Sequence, residues 1–273
     1  MPKLQINKLH FSYTDETEVL KNITLTLEKE STAIIGQNGS GKTTFVKLLK
    51  GLLKPTSGTI HYNGVDITEY TAAKLAKHIG MVFQNPNDQI FKNKVIDEVL
   101  FGPLNIGQSQ EDANKNAIEA LKKVGMDQYL EKNPYDLSLA ERKMISIASV
   151  LAMKPDVIIF DEPTMGQDYK GKQLIKEIIY ECRKQGKLVL CILHDMDFAA
   201  EVFERIIVLN QGKVLLDGNP REVFTNEQVL KQAHLEQPYI MQIAKQLNMK
   251  GIFLTEEELI AEYRTTLLEN ENS

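Results

Sequence analysis

A glycine-rich segment that begins at residue 36 carries the residue types needed to bind phosphate. Glycine lets the backbone curve closely around phosphate oxygens, so that successive N–H groups point inward as donors. The segment follows the apolar run Ala33-Ile34-Ile35 and precedes a helical pattern, whose N-terminal partial positive charge also favours phosphate. It reads Gly36-Gln37-Asn38-Gly39-Ser40-Gly41-Lys42-Thr43 and is followed by Thr44. These features predict a nucleotide-binding loop rather than a chance glycine-rich turn.

Two side chains of this loop have expected partners in a nucleoside triphosphate. Lys42 is expected to reach the β- and γ-phosphates, and the Thr43 hydroxyl is expected to ligate Mg²⁺. ATP and Mg²⁺ are therefore the predicted cofactors. The residues of the loop predicted to bind the nucleotide are Gly36, Gln37, Asn38, Gly39, Ser40, Gly41, Lys42, Thr43 and Thr44.

An acidic pair, Asp161-Glu162, follows the apolar run Val157–Phe160. A carboxylate that ends a buried parallel strand lies at the sheet edge where ligands bind in such folds. We expect Asp161 to contact Mg²⁺ directly or through another ligand, and Glu162 to polarise the attacking water. Taken alone, the pair could equally be a helix cap or a surface acidic pair. The phosphate loop elsewhere in the chain favours the catalytic interpretation.

A parallel sheet is needed to position these groups, and the hydrophobic patterns predict one. Leu4 and Ile6 alternate with polar residues, as in antiparallel strands, whereas Val157–Phe160 and Leu188–Leu193 are continuous apolar runs typical of strands buried on both faces. The signals from about Ser109 onward are helical, and amphipathic helices follow Gly218. The pattern predicts an α/β fold with two parts. Residues 1–218 form an ATPase domain, which includes an antiparallel β subdomain and a helical subdomain at about 85–153, and residues 219–273 form a C-terminal helical extension.

Composition excludes several classes of protein. The 273 residues include 32 basic and 37 acidic side chains, for a formal net charge of −5, and residues 251–273 alone contribute all of that charge. The neutral remainder has no basic stripe of the kind that nucleic acid binding requires. The longest apolar run, Leu188–Leu193, is far shorter than the roughly 20 residues of a membrane-spanning helix. The absence of an apolar N-terminal core and the presence of only Cys182 and Cys191 favour a reducing cytosol.

With the loop and the acidic pair in place, the chain resembles the ATPase subunits of ATP-binding cassette (ABC) transporters over about residues 1–218. The resemblance implies a P-loop NTPase core of ABC type and assigns further roles. Tyr13 would stack on adenine, and Gln84 would link Mg²⁺ and the attacking water to the helical subdomain. Asp168 would follow the catalytic glutamate Glu162, and His194 would contact the γ-phosphate. Each also has a simpler interpretation, as a strand residue, a loop amide, a helix cap and a packed histidine.

The family's signature segment, usually Leu-Ser-Gly-Gly-Gln, is altered in this chain. It reads Leu137-Ser138-Leu139-Ala140-Glu141, so Ser138 is retained as a predicted nucleotide ligand and both glycines are replaced. A Cβ at these positions limits close backbone approach to a γ-phosphate. The simpler interpretation is that Ser138 and Glu141 form a capping box at the start of an ordinary core helix. The resemblance thus implies one regular ATP site, with Lys42, Glu162 and His194 as catalytic residues, and one impaired site.

The same resemblance implies partners and a location. ABC ATPases work as head-to-tail dimers, and the altered signature favours a heterodimer with a second ABC ATPase, although a homodimer stays possible. A groove near residues 85–110 would contact a transmembrane transporter subunit, which places the chain peripherally at the cytoplasmic face of the membrane. No nucleic acid partner is expected. Thr43, Gln84 and Asp161 form the expected Mg²⁺ site.

Within the family the chain looks most like the energy-coupling-factor group, which imports vitamins or transition-metal ions such as cobalt. The segment Ser149–Pro155, the loop Met165-Gly166-Gln167-Asp168 and the C-terminal helices contribute to this likeness. Two alternatives stay open: a non-transport ABC ATPase, and a regulatory, weakly hydrolysing subunit of a heterodimer.

Overall fold

The computed structural model describes residues 2–14 and 17–271, so residues 1, 15 and 16 of the expected ATPase domain and the last two of the expected extension lie outside the described residues. Side chains are described as far as residue 265. The strands are β1 (Lys3–Thr14), β2 (Thr17–Glu28), β3 (Thr32–Ile35), β4 (Ser57–Tyr62), β5 (Val65–Asp66), β6 (Ile79–Val82), β7 (Val157–Asp161), β8 (Leu188–Ile192), β9 (Arg205–Asn210) and β10 (Lys213–Gly218).

Helices separate and follow these strands. They are α1 (Lys42–Leu49), α2 (Ala72–His78), α3 (Val95–Asn105), α4 (Gln110–Lys123), α5 (Leu139–Ala152), α6 (Tyr169–Lys184), α7 (Met196–Val202), α8 (Pro220–Thr225), α9 (Glu227–Gln232), α10 (Tyr239–Gln246) and α11 (Glu256–Glu271). Short 3-10 turns cover Ile67–Glu69, Pro86–Asp88, Asp127–Tyr129 and Pro134–Asp136.

The first sheet is antiparallel, with strand order β2-β1-β4-β5. Its strands bury alternate residues, as the sequence pattern predicts: Leu4 and Ile6 of β1 pair with Leu27 and Leu25 of β2, and all four face the core. Asn63 and Gly64 form the hairpin turn between β4 and β5, and both have positive φ angles. Asparagine and glycine tolerate this conformation, which the type I′ hairpin turn requires at both positions.

The second sheet holds the parallel strands, in the order β10-β9-β3-β8-β7-β6. Parallel pairing joins β9, β3, β8, β7 and β6, and only β10 runs antiparallel to its neighbour. Every residue of β3, β7 and β8 is buried, because helices cover one face, and α1 together with the antiparallel sheet covers the other. The C-terminal ends of β3 and β7 therefore lie at one edge, with β8 between them.

Three helices, α3 to α5, form a helical insertion between β6 and β7. Ser109 caps α4 and Ser138 caps α5, as their spacing predicts. The three helices pack on one another through buried residues such as Val99, Leu121 and Ile147, which belong to the same core as the parallel sheet. The insertion thus places the first turn of α5 beside the sheet edge where β7 ends.

Four helices, α8 to α11, follow the last strand. Asn219 caps α8 through a full capping box with Glu222. Phe224 and Leu230 pack into the main core, whereas Ala244, Phe253 and Leu259 form a small cluster of their own. Within the described residues, no helix combines the length and the apolar character needed to span a bilayer.

Candidate nucleotide-binding site

The glycine-rich loop leaves β3 at Ile35 and enters α1 at Lys42. A Cβ on Gly36 would lie 2.1 Å from the backbone oxygen of Leu209 on the neighbouring strand, so this position has no room for any other residue. Gly41 caps α1 with a φ of 103°, in the left-handed region that glycine adopts without steric cost. The loop conformation therefore depends on glycine at both ends.

Lys42 is folded back into this loop. Its Nζ atom donates hydrogen bonds to the backbone oxygens of Gly36 at 2.7 Å and Gln37 at 2.9 Å. Burial lowers the pKa of Lys42, an effect that the nearby carboxylates of Glu162 and Asp161 oppose. The ammonium group is thus held where the loop encloses it, in the place expected for the group that binds phosphate.

Asp161 ends β7 and is buried beside Thr43. Its carboxyl group accepts a hydrogen bond from the Thr43 side chain, and within the described residues its Oδ1 atom has no hydrogen-bond partner. Burial and the adjacent Glu162 raise the pKa of Asp161 to about 6. A buried carboxylate oxygen without a partner is costly. A divalent cation would satisfy it, and Thr43 supplies a second hard oxygen, so these residues fit Mg²⁺.

The Glu162 carboxylate lies between two polar side chains. Oε2 accepts a hydrogen bond from Nε2 of Gln84 at 2.9 Å, and Oε1 lies 3.0 Å from Nε2 of His194. The backbone of Glu162 has a φ of 49°, and its N–H donates to the Ile192 oxygen of β8. Strained backbone at a functional site is common, because the surrounding contacts hold it in place. The structure thus brings together Glu162 and two residues, Gln84 and His194, that are 110 positions apart in the chain.

Tyr13 lies at the end of β1, beside the start of α1. Its side chain is 60% exposed, and its hydroxyl lies 3.2 Å from Oγ1 of Thr44. The Phe11 ring contacts it edge to face, with ring centroids 4.8 Å apart. The Tyr13 ring is thus exposed, is held by Phe11 and lies next to the phosphate loop, so that it can stack on a nucleotide base.

Comparison with known proteins identifies the family. A family model described as ABC transporter matches residues 20–165. The chain is 38% identical over 248 residues to an energy-coupling factor transporter ATP-binding protein, EcfA, of Methanosphaera stadtmanae, which covers 90% of this chain and 89% of that protein. The chain belongs to the ABC transporter ATPases. It is an ATP hydrolase of the kind coupled to transmembrane transport, and the predicted family is confirmed.

Solved ABC structures share the fold of this ABC ATPase. CbiO1 of Clostridium perfringens, described as part of the ABC transporter complex cbiONQ, is 35% identical with a TM-score of 0.74, over 89% of this chain and 98% of that one. The ATP-binding cassette MJ0796, solved as a dimer in a post-hydrolysis state with ADP and Pi, is 29% identical with a TM-score of 0.70, over 80% of this chain and 99% of that one. The predicted ABC-type fold is thereby confirmed.

The signature segment of this ABC ATPase has the geometry of a helix cap. Ser138 accepts a hydrogen bond from the Glu141 N–H, and Glu141 accepts one from the Ser138 N–H, which makes a full capping box for α5. Leu139 is 50% exposed, and the Ala140 oxygen accepts from Nε2 of Gln167 at 3.2 Å. The Ser138 hydroxyl is hydrogen-bonded to Glu141 of its own helix, so its predicted role as a nucleotide ligand requires a second subunit.

Asp168 likewise acts as a cap in this single chain. Its Oδ1 atom accepts from the Gly171 N–H at 2.8 Å and so begins α6. This is the simpler interpretation that the sequence left open. Capping fixes the end of the loop between Glu162 and α6.

Sequence reasoning missed one residue of the site, Lys143. It is 2% exposed, and its Nζ atom donates hydrogen bonds to the backbone oxygens of Phe83, at 3.0 Å, and Gln84. Burial lowers the pKa of Lys143 to about 8, against the opposing effect of Asp161 and Glu162. The available signal was its spacing: Lys143 lies four residues before Ile147, on the apolar face of α5.

Proposed function

We propose that this ATPase powers the import of a small micronutrient, a vitamin or a transition-metal ion such as cobalt, through a separate membrane protein. One observation carries the hydrolytic part: the Glu162 carboxylate is held between Gln84 and His194 at the end of β7. The similarity to EcfA and to CbiO1 supports the import part. Both proteins carry names of transporter components.

The phosphate loop and its neighbours bind the nucleotide. Tyr13 stacks on adenine, and Lys42 exchanges the backbone oxygens of Gly36 and Gln37 for the oxygens of the β- and γ-phosphates. Thr43, Gln84 and Asp161 would hold Mg²⁺, which supplies positive charge beside the phosphates. Mg²⁺ binding would therefore give the buried Oδ1 atom of Asp161 the partner that it lacks.

Glu162 is the residue placed to activate water. Its carboxylate orients a water for in-line attack on the γ-phosphorus and accepts the water proton. His194 and Lys42 stabilise the negative charge that develops on the transferred group. Gln84 and His194 also fix the orientation of the Glu162 carboxylate. The carboxylate is therefore already oriented for reaction before the nucleotide binds.

Residues 83–85, here called the Gln84 segment, follow β6. An apolar groove beside this segment is the proposed contact for the membrane subunit. It has a volume of about 270 Å³ and lies between α2 and the helical insertion. Phe91 and Phe101 are exposed at its rim, with ring centroids 4.7 Å apart, and the Glu98 carboxylate holds the backbone N–H of Phe91. A helix end of the membrane subunit inserted here would move with α3 and with Gln84 during the ATP cycle. The residues that line its apolar wall include Ala73, Ala76, Met81, Phe83, Phe91, Phe101 and Met153.

A second ABC ATPase is the other proposed partner. Its signature segment would complete the ATP site built on residues 36–44, and the dimeric MJ0796 cassette supports pairing of this kind. We favour a heterodimer, because Leu139 and Ala140 place Cβ atoms where the family usually has glycine.

Residues 219–273 are proposed as a C-terminal extension that adds to the dimer contact, and Tyr239 and Ile243 expose apolar surface there. The chain would then lie at the cytoplasmic face of the membrane, attached through its partners.

The altered signature also supports a second candidate function, that of a regulatory subunit which binds ATP and hydrolyses it weakly. The intact Glu162 and His194 oppose it. The two candidate functions differ in which subunit must hydrolyse ATP. If this chain powers import, its own Glu162 is required for transport. If this chain is a regulatory subunit, only the catalytic glutamate of the partner ATPase is required.

Transport by the reconstituted complex tests the proposal. The chain is co-purified with its membrane and ATPase partners, placed in lipid vesicles, and assayed for ATP-dependent uptake of vitamins and of Co²⁺. We expect Glu162→Gln to bind ATP normally and to lower hydrolysis and uptake by about 100-fold or more. Full uptake by this variant would support the regulatory role instead. Failure of the chain to co-purify with any membrane protein would contradict the transport function.

A further inference from the structure

We propose that Lys143 is a positioning residue for ATP hydrolysis, because it ties the Gln84 segment to the first turns of α5 and so holds Gln84 against Glu162. The proposal rests on the roles of Gln84 and Glu162 given above. It adds a physical connection between the signature end of α5 and the hydrolytic site of the same subunit. The residue types of the signature and of the phosphate loop do not indicate this connection.

The surroundings of Lys143 are unusual for a lysine. The residue is 2% exposed and is flanked along α5 by the buried Met144 and Ile147. Within the described residues it forms no salt bridge, and its Nζ atom instead donates to the backbone oxygens of Phe83 and Gln84. A buried ammonium group is costly unless hydrogen bonds and nearby negative charge compensate it. Here the compensation comes from these two carbonyl groups and from the nearby carboxylates of Asp161 and Glu162.

A continuous set of hydrogen bonds leads from α5 to the catalytic carboxylate. Lys143 contacts the backbone of Gln84, and the side chain of Gln84 donates to Glu162 at 2.9 Å. Gln89 adds a parallel link, since its side chain accepts from the Phe83 N–H and donates to the Ser146 oxygen of α5. The Gln84 segment is therefore attached to α5 at two points, of which Lys143 is the one that contacts Gln84 itself.

This attachment predicts how the subdomain and the site move together. α5 begins at the segment of Ser138 and Leu139, which faces a partner's nucleotide in the proposed dimer. A shift of α5 moves the Gln84 backbone through Lys143, and with it the amide that orients Glu162. A displacement of about 1 Å in such a group lowers the rate roughly 100-fold. Lys143 thus acts on hydrolysis through Gln84, without touching the nucleotide.

A matched lysine separates this role from a general contribution to stability. Lys187 is partly buried, whereas Lys143 is fully buried, and the Lys187 Nζ atom donates to the backbone oxygen of Pro155 at 2.5 Å. Burial lowers the pKa of Lys187 as well. It precedes β8, whereas the nucleotide site lies at the opposite, C-terminal end of the parallel strands. Lys187→Met therefore removes an amine and one hydrogen bond to the backbone far from Gln84.

The experiment compares Lys143→Met, Lys143→Arg, Lys187→Met and Glu162→Gln in the full chain together with its co-purified partners. ATPase kcat and KM, ATP affinity and thermal unfolding are measured for each. We expect Lys143→Met to lower kcat by about 10- to 100-fold with KM changed less than about threefold. Lys143→Arg, which can still donate to both backbone oxygens, should recover most of kcat. Lys187→Met should lose stability and keep the wild-type kcat.

Several outcomes would overturn the proposal. One is an unchanged kcat in Lys143→Met, and another is an equal loss of kcat in Lys187→Met. If Lys143→Met does not fold, Lys143→Gln replaces it, and equal kcat values for the glutamine and arginine variants then contradict the role. Amide hydrogen exchange at Phe83–Asn85 should rise in Lys143→Met and not in Lys187→Met. Full turnover by Glu162→Gln would instead show that the proposed catalytic role has failed, independently of Lys143.

Discussion

His194 and Glu162 face each other across the end of β7, with Nε2 of the histidine 3.0 Å from Oε1 of the glutamate. Glu162 holds its place through a left-handed backbone conformation and a hydrogen bond to Ile192, which precedes His194 by two residues on the neighbouring strand. The spacing between the two strands therefore sets the distance between the two side chains. Gln84 approaches the same carboxylate from the helical subdomain.

This arrangement predicts that loss of the His194 ring lowers hydrolysis more than nucleotide binding. His194→Ala leaves the Glu162 carboxylate with one positioning contact and removes a group that stabilises charge on the γ-phosphate. We expect kcat to fall about 100-fold and ATP affinity to change little. Steady-state ATPase kinetics and binding of a fluorescent ATP analogue measure the two quantities. His234→Ala, on an exposed histidine, is the control, and equal effects in the two variants would contradict the assignment.

The Tyr13 ring is predicted to contribute to nucleotide affinity through stacking. Tyr13→Ala removes the exposed ring, whereas Tyr13→Phe removes only the hydroxyl that lies near Thr44. Stacking of a base on an aromatic side chain contributes about 1–3 kcal/mol, so the alanine variant should bind ATP roughly 5- to 150-fold more weakly. The phenylalanine variant should bind almost as well as the wild type. Titration of both variants with ATP tests this, and equal weakening would assign the effect to the hydroxyl instead.

Local sequence patterns predicted much of the fold because the relevant signals are short in range. The phosphate loop, the buried runs of β7 and β8 and the cap at Ser138 all depend on neighbouring residues. The order of the parallel strands could not be predicted in this way. The pairing of β3 with β8 and β9 joins residues more than 150 positions apart, and apolar periodicity does not specify a partner.

The residues that meet at the candidate site could be predicted in part for the same reason. Asp161 and Glu162 can be recognised from the sequence because they directly follow a buried strand. Gln84 and His194 were assigned only through the family resemblance. Lys143 was missed because a charged residue in a helix is normally read as exposed. Its burial depends on the backbone oxygens of Phe83 and Gln84, which tertiary folding brings to it. Strand β6 and helix α2 were also not predicted, since β6 has only four residues and contains Gly80.

Restoring glycine in the signature is predicted to raise the activity of the chain alone. In the double variant Leu139→Gly, Ala140→Gly the backbone could approach the γ-phosphate of a second copy closely. We expect its ATPase rate in the absence of a partner to rise severalfold, while each glycine lowers helix stability by about 1 kcal/mol. Thermal unfolding and concentration-dependent ATPase assays measure both effects. The Ser138–Glu141 capping box is left intact, and adding Ser138→Ala should cancel the gain. An unchanged rate would show that the signature does not limit activity.

The pH dependence of stability provides a test at Lys50, at the end of α1. Its Nζ atom donates to the backbone oxygen of Ile79, and burial lowers the pKa of Lys50 from 10.5 to about 8. Between about pH 8 and 10.5 the folded chain has released this proton and the unfolded chain still holds it. Stability rises with pH wherever the unfolded state binds more protons, so the charged Lys50 opposes folding below pH 8, and this penalty decreases progressively between about pH 8 and 10.5.

The free energy of unfolding should therefore rise with pH more steeply in the wild type than in Lys50→Met. The shift at this one site corresponds to at most about 3 kcal/mol across the window. Urea unfolding of the wild type and of Lys50→Met from pH 7 to 10 isolates the contribution of Lys50, because the two proteins share all other titrating groups. Lys54→Met, on an exposed lysine after the end of α1, should follow the wild-type curve. A constant difference between wild type and Lys50→Met would mean that the buried amine keeps its ordinary pKa.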